Sequence, residues 1–148
     1  MKFHLNFANK ERKMSGTNKK LFGGGFHHVF LRVSDIEKSI KFYTEVLGFV
    51  EKTSWGSGAG KMILLDTGDG NYFELGQGSL TEGGSYQHVA IRTDNCDKAL
   101  EAARAAGAPI TMEPRDVDLP SNPPIKVRIA FFKGPDGEVI ELFQNEAT

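Results

Sequence analysis

The chain has 148 residues, enough for one domain with a sizeable core or for two half-size modules. Hydrophobic residues make up 39% and charged residues 25%, and the net charge is -1. That balance excludes a disordered chain, and it leaves no bulk field for nucleic acid or a membrane surface.

Residues 1–24 differ from the rest. Lys2, Lys10, Arg12, Lys13, Lys19 and Lys20 stand against Glu11 alone, with no apolar run of signal-peptide or membrane length. The segment reads as a flexible basic tail or an appended extension, ending in the joint Gly23-Gly24-Gly25.

Next comes an alternating strand over ~27–33, "HHVFLRV". Val29, Leu31 and Val33 share one face, with His27 at its edge. His28, Phe30 and Arg32 share the other. A helix follows, with Ser34 and Glu37 as a capping box, a stripe of Ile36, Ile40, Tyr43 and Leu47, and Gly48 as its stop. A short strand, Phe49–Thr53, leads to the glycine-rich "SWGSGAGK". This segment does not fit a phosphate loop: Trp55 stands where the first glycine is required, and Met62 follows the lysine. Trp55 reads either as a residue closing over substrate or a second subunit, or as a loop anchor. Two strands, Lys61–Asp66 and Asn71–Gly76, meet around "TGDG".

The chain then repeats itself. "HVFLRVSD" returns sixty residues later as "HVAIRTDN", and "DGNYFEL" returns as "DGEVIEL". The second copy has a strand over ~86–92 and a helix capped by Asp94, with the stripe Cys96, Ala99, Leu100 and Ala103 and a stop at Gly107. A strand over Ile110–Met112 follows, then a proline-rich loop "PRDVDLPSNPPIK". Strands Lys126–Phe132 and Glu138–Phe143 meet around "GPDG". The layout is β-α-β-β-β twice: a first module over 25–80 and a second over 84–145. Cys96 is the only cysteine, which excludes an intramolecular disulfide and a cysteine-cluster zinc site and fits a reducing, cytoplasmic setting.

Parity places one histidine and one glutamate of each module on its helix-free face: His28 and Glu74, then His88 and Glu141. Joined through those faces, the modules bring two imidazoles and two carboxylates together, a set suited to a divalent transition metal. His27 has no counterpart, because Gln87 stands in its place, and its replacement is expected to be nearly silent. Arg32 and Arg92 share the inward parity; they either bind an anionic group of a substrate or pair with a neighbouring carboxylate.

The segments "HVFLRVSDIEKSIKFYTEVLGF", "YFELG", "HVAIR" and "DGEVIEL" resemble the four signature blocks of the vicinal oxygen chelate superfamily, which includes glyoxalase I, methylmalonyl-CoA epimerase, extradiol dioxygenases and the fosfomycin- and bleomycin-resistance proteins. The resemblance covers residues 25–145. It implies an α+β fold in which two tandem βαβββ modules form a curved mixed-sheet open barrel around a metal site. It also implies one divalent ion (Ni, Co, Zn, Mn or Fe) on His28, Glu74, His88 and Glu141, and a small-molecule substrate. A homodimer is implied as well.

The four-ligand set most resembles metal-dependent glyoxalase I. The implied activity is that of a lyase or isomerase acting on a small 2-oxo or hydroxy-carbonyl compound, or its thiol conjugate, through a metal-chelated enediolate. Glu141 is implied as main base and Glu74 as its counterpart, while Arg32, Arg92 and Trp55 are the substrate-binding candidates. Arg32 matches a glutathione-contacting arginine of that family, but "ELGQGSL" lacks the asparagine usual after the block-two glutamate. The alternatives are another metalloenzyme of the superfamily (epimerase or extradiol dioxygenase) or a non-catalytic protein that binds a drug or metabolite.

Overall fold

Hydrophobic alternation fixes which face of the first strand is covered. β1 (Gly25–Val33) lays Leu31 and Val33 under α1 (Ile36–Lys41), and Ile36, Ile40 and Tyr43 of the helical stretch close over them. The description is that of a computed structural model, covering residues 16–148 except Leu47, Thr81, Pro135 and Asp136. Most of the basic tail, the stripe residue Leu47 and two residues of the "GPDG" turn therefore lie outside the described residues.

α1 loosens into one π turn over Phe42–Val46, and the chain reverses at Gly48, whose φ of +73° suits glycine. β2 (Val50–Trp55), β3 (Met62–Asp66) and β4 (Tyr72–Gln77) follow as an antiparallel run, and β4 returns parallel to β1. The second half repeats this with β5 (Tyr86–Arg92), α2 (Cys96–Ala105), β6 (Ile110–Leu119), β7 (Ile125–Lys133) and β8 (Val139–Gln144). Here β8 lies parallel to β5 and antiparallel to β7. The halves join through β1 and β5, giving one curved mixed sheet in the order β2-β3-β4-β1-β5-β8-β7-β6.

The helices cover one face. Leu31, Val33, Ile63, Leu65 and Leu75 pack under α1, and Cys96, Ala99 and Leu100 pack on Ala130 and Leu142 under α2. A third cluster, Ala90, Ile125, Val127 and Phe143, fills the opposite, concave face. No helix among the described residues is long and apolar enough to cross a membrane.

Three local expectations are corrected. The helix caps sit one residue later than expected: the Asp35 carboxylate accepts from Lys38 N–H at 3.0 Å, and the Asn95 amide oxygen accepts from Lys98 N–H at 3.0 Å, displacing Ser34 and Asp94. A second device explains the shift. Gln77 Oε1 accepts from Ile36 N–H and Gln144 Oε1 accepts from Cys96 N–H, both at 2.8 Å, so each helix start is clamped from the end of its module's last strand. Next, β6 is ten residues long and runs through Pro114, leaving only residues 120–124 as the loop. Pro114 is tolerated because β6 is an edge strand whose pairing with β7 shifts register between Met112 and Arg115. Finally, Ser54 and Trp55 end a strand rather than lying in a glycine loop.

Candidate metal centre

The four central strands of the sheet, β4, β1, β5 and β8, each contribute one polar side chain to the concave face. On β1, Phe30 is flanked by Glu74 of β4 and His88 of β5. His28 pairs with Ala90, which is flanked on its other side by Glu141 of β8. This stagger makes the side chains converge. His28 Nε2 lies 2.8 Å from Glu74 Oε2 and 3.2 Å from Glu141 Oε2. His88 Nε2 lies 3.0 Å from the same Glu141 oxygen and 3.4 Å from His28 Nε2.

These distances fit a shared cation. Ligand atoms on adjacent corners around an ion bound at about 2.1 Å sit about 3 Å apart. Glu141 Oε2 lies within 3.2 Å of both ring nitrogens, so it can accept an N–H from each or share an ion with them. Ligand atoms of His28, His88 and Glu141 lie within 4.8 Å of one another, whereas Glu74 joins the group through His28.

Electrostatics say the same. Burial alone would push the His28 imidazolium down, but hydrogen bonds to Glu141 and Glu74, and their charges, outweigh it and raise its pKa to about 9. Burial alone would raise Glu141, yet hydrogen bonds from His28 and His88 hold it below the usual carboxylate range. The site favours a positive charge at its centre.

Above these four side chains lies a cavity of about 250 Å³. Phe30, Trp55, Met62 and Leu64 wall one side, and Leu119, Val127, Ile129 and Phe143 wall the other. Trp55 is half-buried here rather than exposed on a loop. Gly76 makes room for that wall, since a Cβ on it would come within 2.8 Å of both Met62 Sδ and the Phe30 ring. The two arginines do not line the cavity. Arg92 Nη2 donates to the Gly70 carbonyl at 2.6 Å, and the Arg32 guanidinium lies over the Phe30 ring at 5.5 Å, packed against Gly78.

His27 departs from expectation. The β1–β5 pairing slips between Phe26 and His28, and this bulge turns His27 away from the helix side. Its ring is fully buried, 5.1 Å from Tyr72 and 4.4 Å from Phe143, and its Nδ1 lies 2.8 Å from His28 Nδ1. Burial, then the nearby His28 and Arg92, drive its pKa down to about 2, so it is neutral.

Parity on β1 and β3 could have revealed Phe30, Met62 and Leu64 as cavity walls. Gln77 and Gln144 carried a signal too, lying three residues after Glu74 and Glu141.

Residues 25–142 match the family described as the glyoxalase/bleomycin resistance protein/dioxygenase superfamily. A probable lactoylglutathione lyase of Vibrio cholerae is 35% identical over 128 residues, covering 80% of this chain and 89% of its own. A lactoylglutathione lyase of Haemophilus influenzae is 34% identical over 130 residues, covering 82% and 93%. Among solved structures, methylmalonyl-CoA epimerase from Mycobacterium tuberculosis superposes with a TM-score of 0.67 at 22% identity, over 84% of this chain and 89% of the other. With two βαβββ halves, four convergent histidine and glutamate side chains and these relatives, the chain belongs to the glyoxalase/bleomycin resistance protein/dioxygenase superfamily.

Proposed function

We propose that the protein is a glyoxalase I-like, metal-dependent lyase or isomerase acting on a small 2-oxo or hydroxy-carbonyl compound, as such or as its thiol conjugate. One observation carries the reading: His28, Glu74, His88 and Glu141 meet at 2.8–3.4 Å beneath a cavity with apolar walls. The lactoylglutathione lyase names of relatives at about 35% identity support the same reaction class.

His28, His88, Glu141 and Glu74 would hold a divalent ion of nickel, cobalt, zinc, manganese or iron. When bound, the ion would polarise a substrate carbonyl and stabilise the negative charge that develops as the neighbouring carbon loses its proton. The chain does the rest. Glu141 takes the proton from one substrate carbon and returns it to the next, with Glu74 serving the opposite side. Trp55, Met62 and Phe30 exclude water, so the proton returns to substrate rather than escaping to solvent. The cavity admits the carbonyl end of a substrate; a bulky, charged remainder lies outside it.

The test is an assay of protein reconstituted with each ion, using methylglyoxal hemithioacetals of glutathione and of other thiols, then free 2-oxo compounds. Turnover that requires the ion and falls in the Glu141→Gln variant supports the reading. Absence of any restorable divalent ion, or turnover unaffected by chelators, overturns it.

A further inference from the structure

We propose that His27 is a positioning residue, fixing the tautomer of His28 through a hydrogen-bond relay that ends at Thr148 and Asn145, and so presenting the bare Nε2 of His28 to the metal. The proposal rests on reading His28 as a ligand.

Directionality follows from the far end of the relay. One oxygen of Asn145 accepts the backbone N–H groups of Ala147 and Thr148, both at 2.8 Å, so that atom is the amide oxygen and only accepts. The Thr148 hydroxyl lies 3.0 Å from it and spends its single hydrogen there. Toward His27 Nε2, at 2.6 Å, the hydroxyl can then only accept, so Nε2 of His27 carries a hydrogen.

A second hydrogen on His27 would make a buried cation, and no carboxylate is paired with His27 among the described residues. Its Nδ1 is therefore a lone pair. Across 2.8 Å, His28 Nδ1 must supply the hydrogen. With Nδ1 spent as donor, the remaining nitrogen of His28 faces Glu74, Glu141 and His88.

Histidine ligands usually donate their second ring N–H to a carboxylate, a carbonyl or water. Here another imidazole takes that role, brought to the same side of the strand by the bulge at Phe26–His28. It is a neutral acceptor, so it orients His28 without adding a further negative charge to a site that already holds two carboxylates.

Two measurements test this. In protein labelled with ¹⁵N-histidine, the N–H···N bond gives a nitrogen–nitrogen coupling across it, with the proton bonded to His28 Nδ1. Metal affinity is read by chelator competition. His27→Phe keeps an aromatic ring against Tyr72 and Phe143 but lacks the acceptor, and should weaken binding about 10–100-fold. His27→Asn puts an oxygen near the Nδ1 position and should recover most of that loss despite its poorer packing. Thr148→Val, in which His27 is untouched, should weaken binding by less and mix the His27 tautomers.

A purely packing role predicts the reverse order, with the Phe variant near wild type and the Asn variant worst; that result overturns the proposal. So does a proton on His27 Nδ1. If wild type holds no divalent ion, the reading of the metal centre fails, and the coupling still decides the tautomer.

Discussion

Without a bound ion, the protein's stability should fall with rising pH in a window that one residue defines. In the metal-free protein the His28 imidazolium is held by Glu141 and Glu74, with its pKa at about 9 against an ordinary 6.5. A raised pKa stabilises the fold fully below the unfolded value, and the contribution is lost as pH climbs through the folded value. The window is therefore pH 6.5 to 9. A shift of this size is worth about 3–4 kcal/mol, taking about 1.4 kcal/mol per unit. Glu141, held below its ordinary 4.5, acts in the opposite direction and only in acid, where its contribution is lost as pH falls.

Urea denaturation in excess chelator at pH 6.5 and pH 9 reads the change. Subtracting the same pair of measurements for His28→Gln cancels the other titrating groups. A divalent ion bound there would displace that proton. Calorimetry of metal binding at pH 7.5, in two buffers of different ionisation enthalpy, should show about one proton released, and apparent affinity should rise about tenfold per pH unit toward pH 9. A wild-type minus variant difference that stays flat from pH 6.5 to 9, together with no released proton, would refute the reasoning.

Three further outcomes are expected. Glu141→Gln should lower turnover by about 10²–10⁴-fold and Glu74→Gln by less, each measured at equal metal content; the opposite order would move the main base to β4. Gly76→Ala should cost about 1–3 kcal/mol in thermal or urea unfolding, because its Cβ meets Met62 Sδ and the Phe30 ring at 2.8 Å. Cys96 is fully buried, and burial pushes its thiol up to about 12, so native protein should resist alkylation that urea-unfolded protein accepts, as mass spectrometry can follow.

The four ligand candidates were legible because two independent regularities agree on them. Strand parity puts each on the face opposite the helix-packing residues, and the repeat sets His28 against His88 and Glu74 against Glu141. His27 escaped the same logic because parity assumes an unbroken strand. A bulge arises from the pairing of β1 with β5, and nothing local in "GFHHV" announces it. Pro114 misled for a related reason: it breaks a central strand but sits on an edge, and edge position is a property of the sheet order. The helix caps slipped by one residue because Gln77 and Gln144, more than 40 residues away in sequence, hold the first helical N–H of each helix. Arg32 and Arg92 have the inward parity expected of them, yet where a long side chain ends depends on its neighbours, here the Phe30 ring and the Gly70 carbonyl.

His28, Glu74, His88 and Glu141 all lie in one chain, and that has a consequence in mass action. A centre shared between subunits loses its ion on dilution, because parting the subunits halves the ligand set. In this chain the four side chains share a single continuous sheet, so an ion held by them would be retained at an effective concentration set by folding. Occupancy at fixed free metal should follow a one-to-one isotherm at any protein concentration.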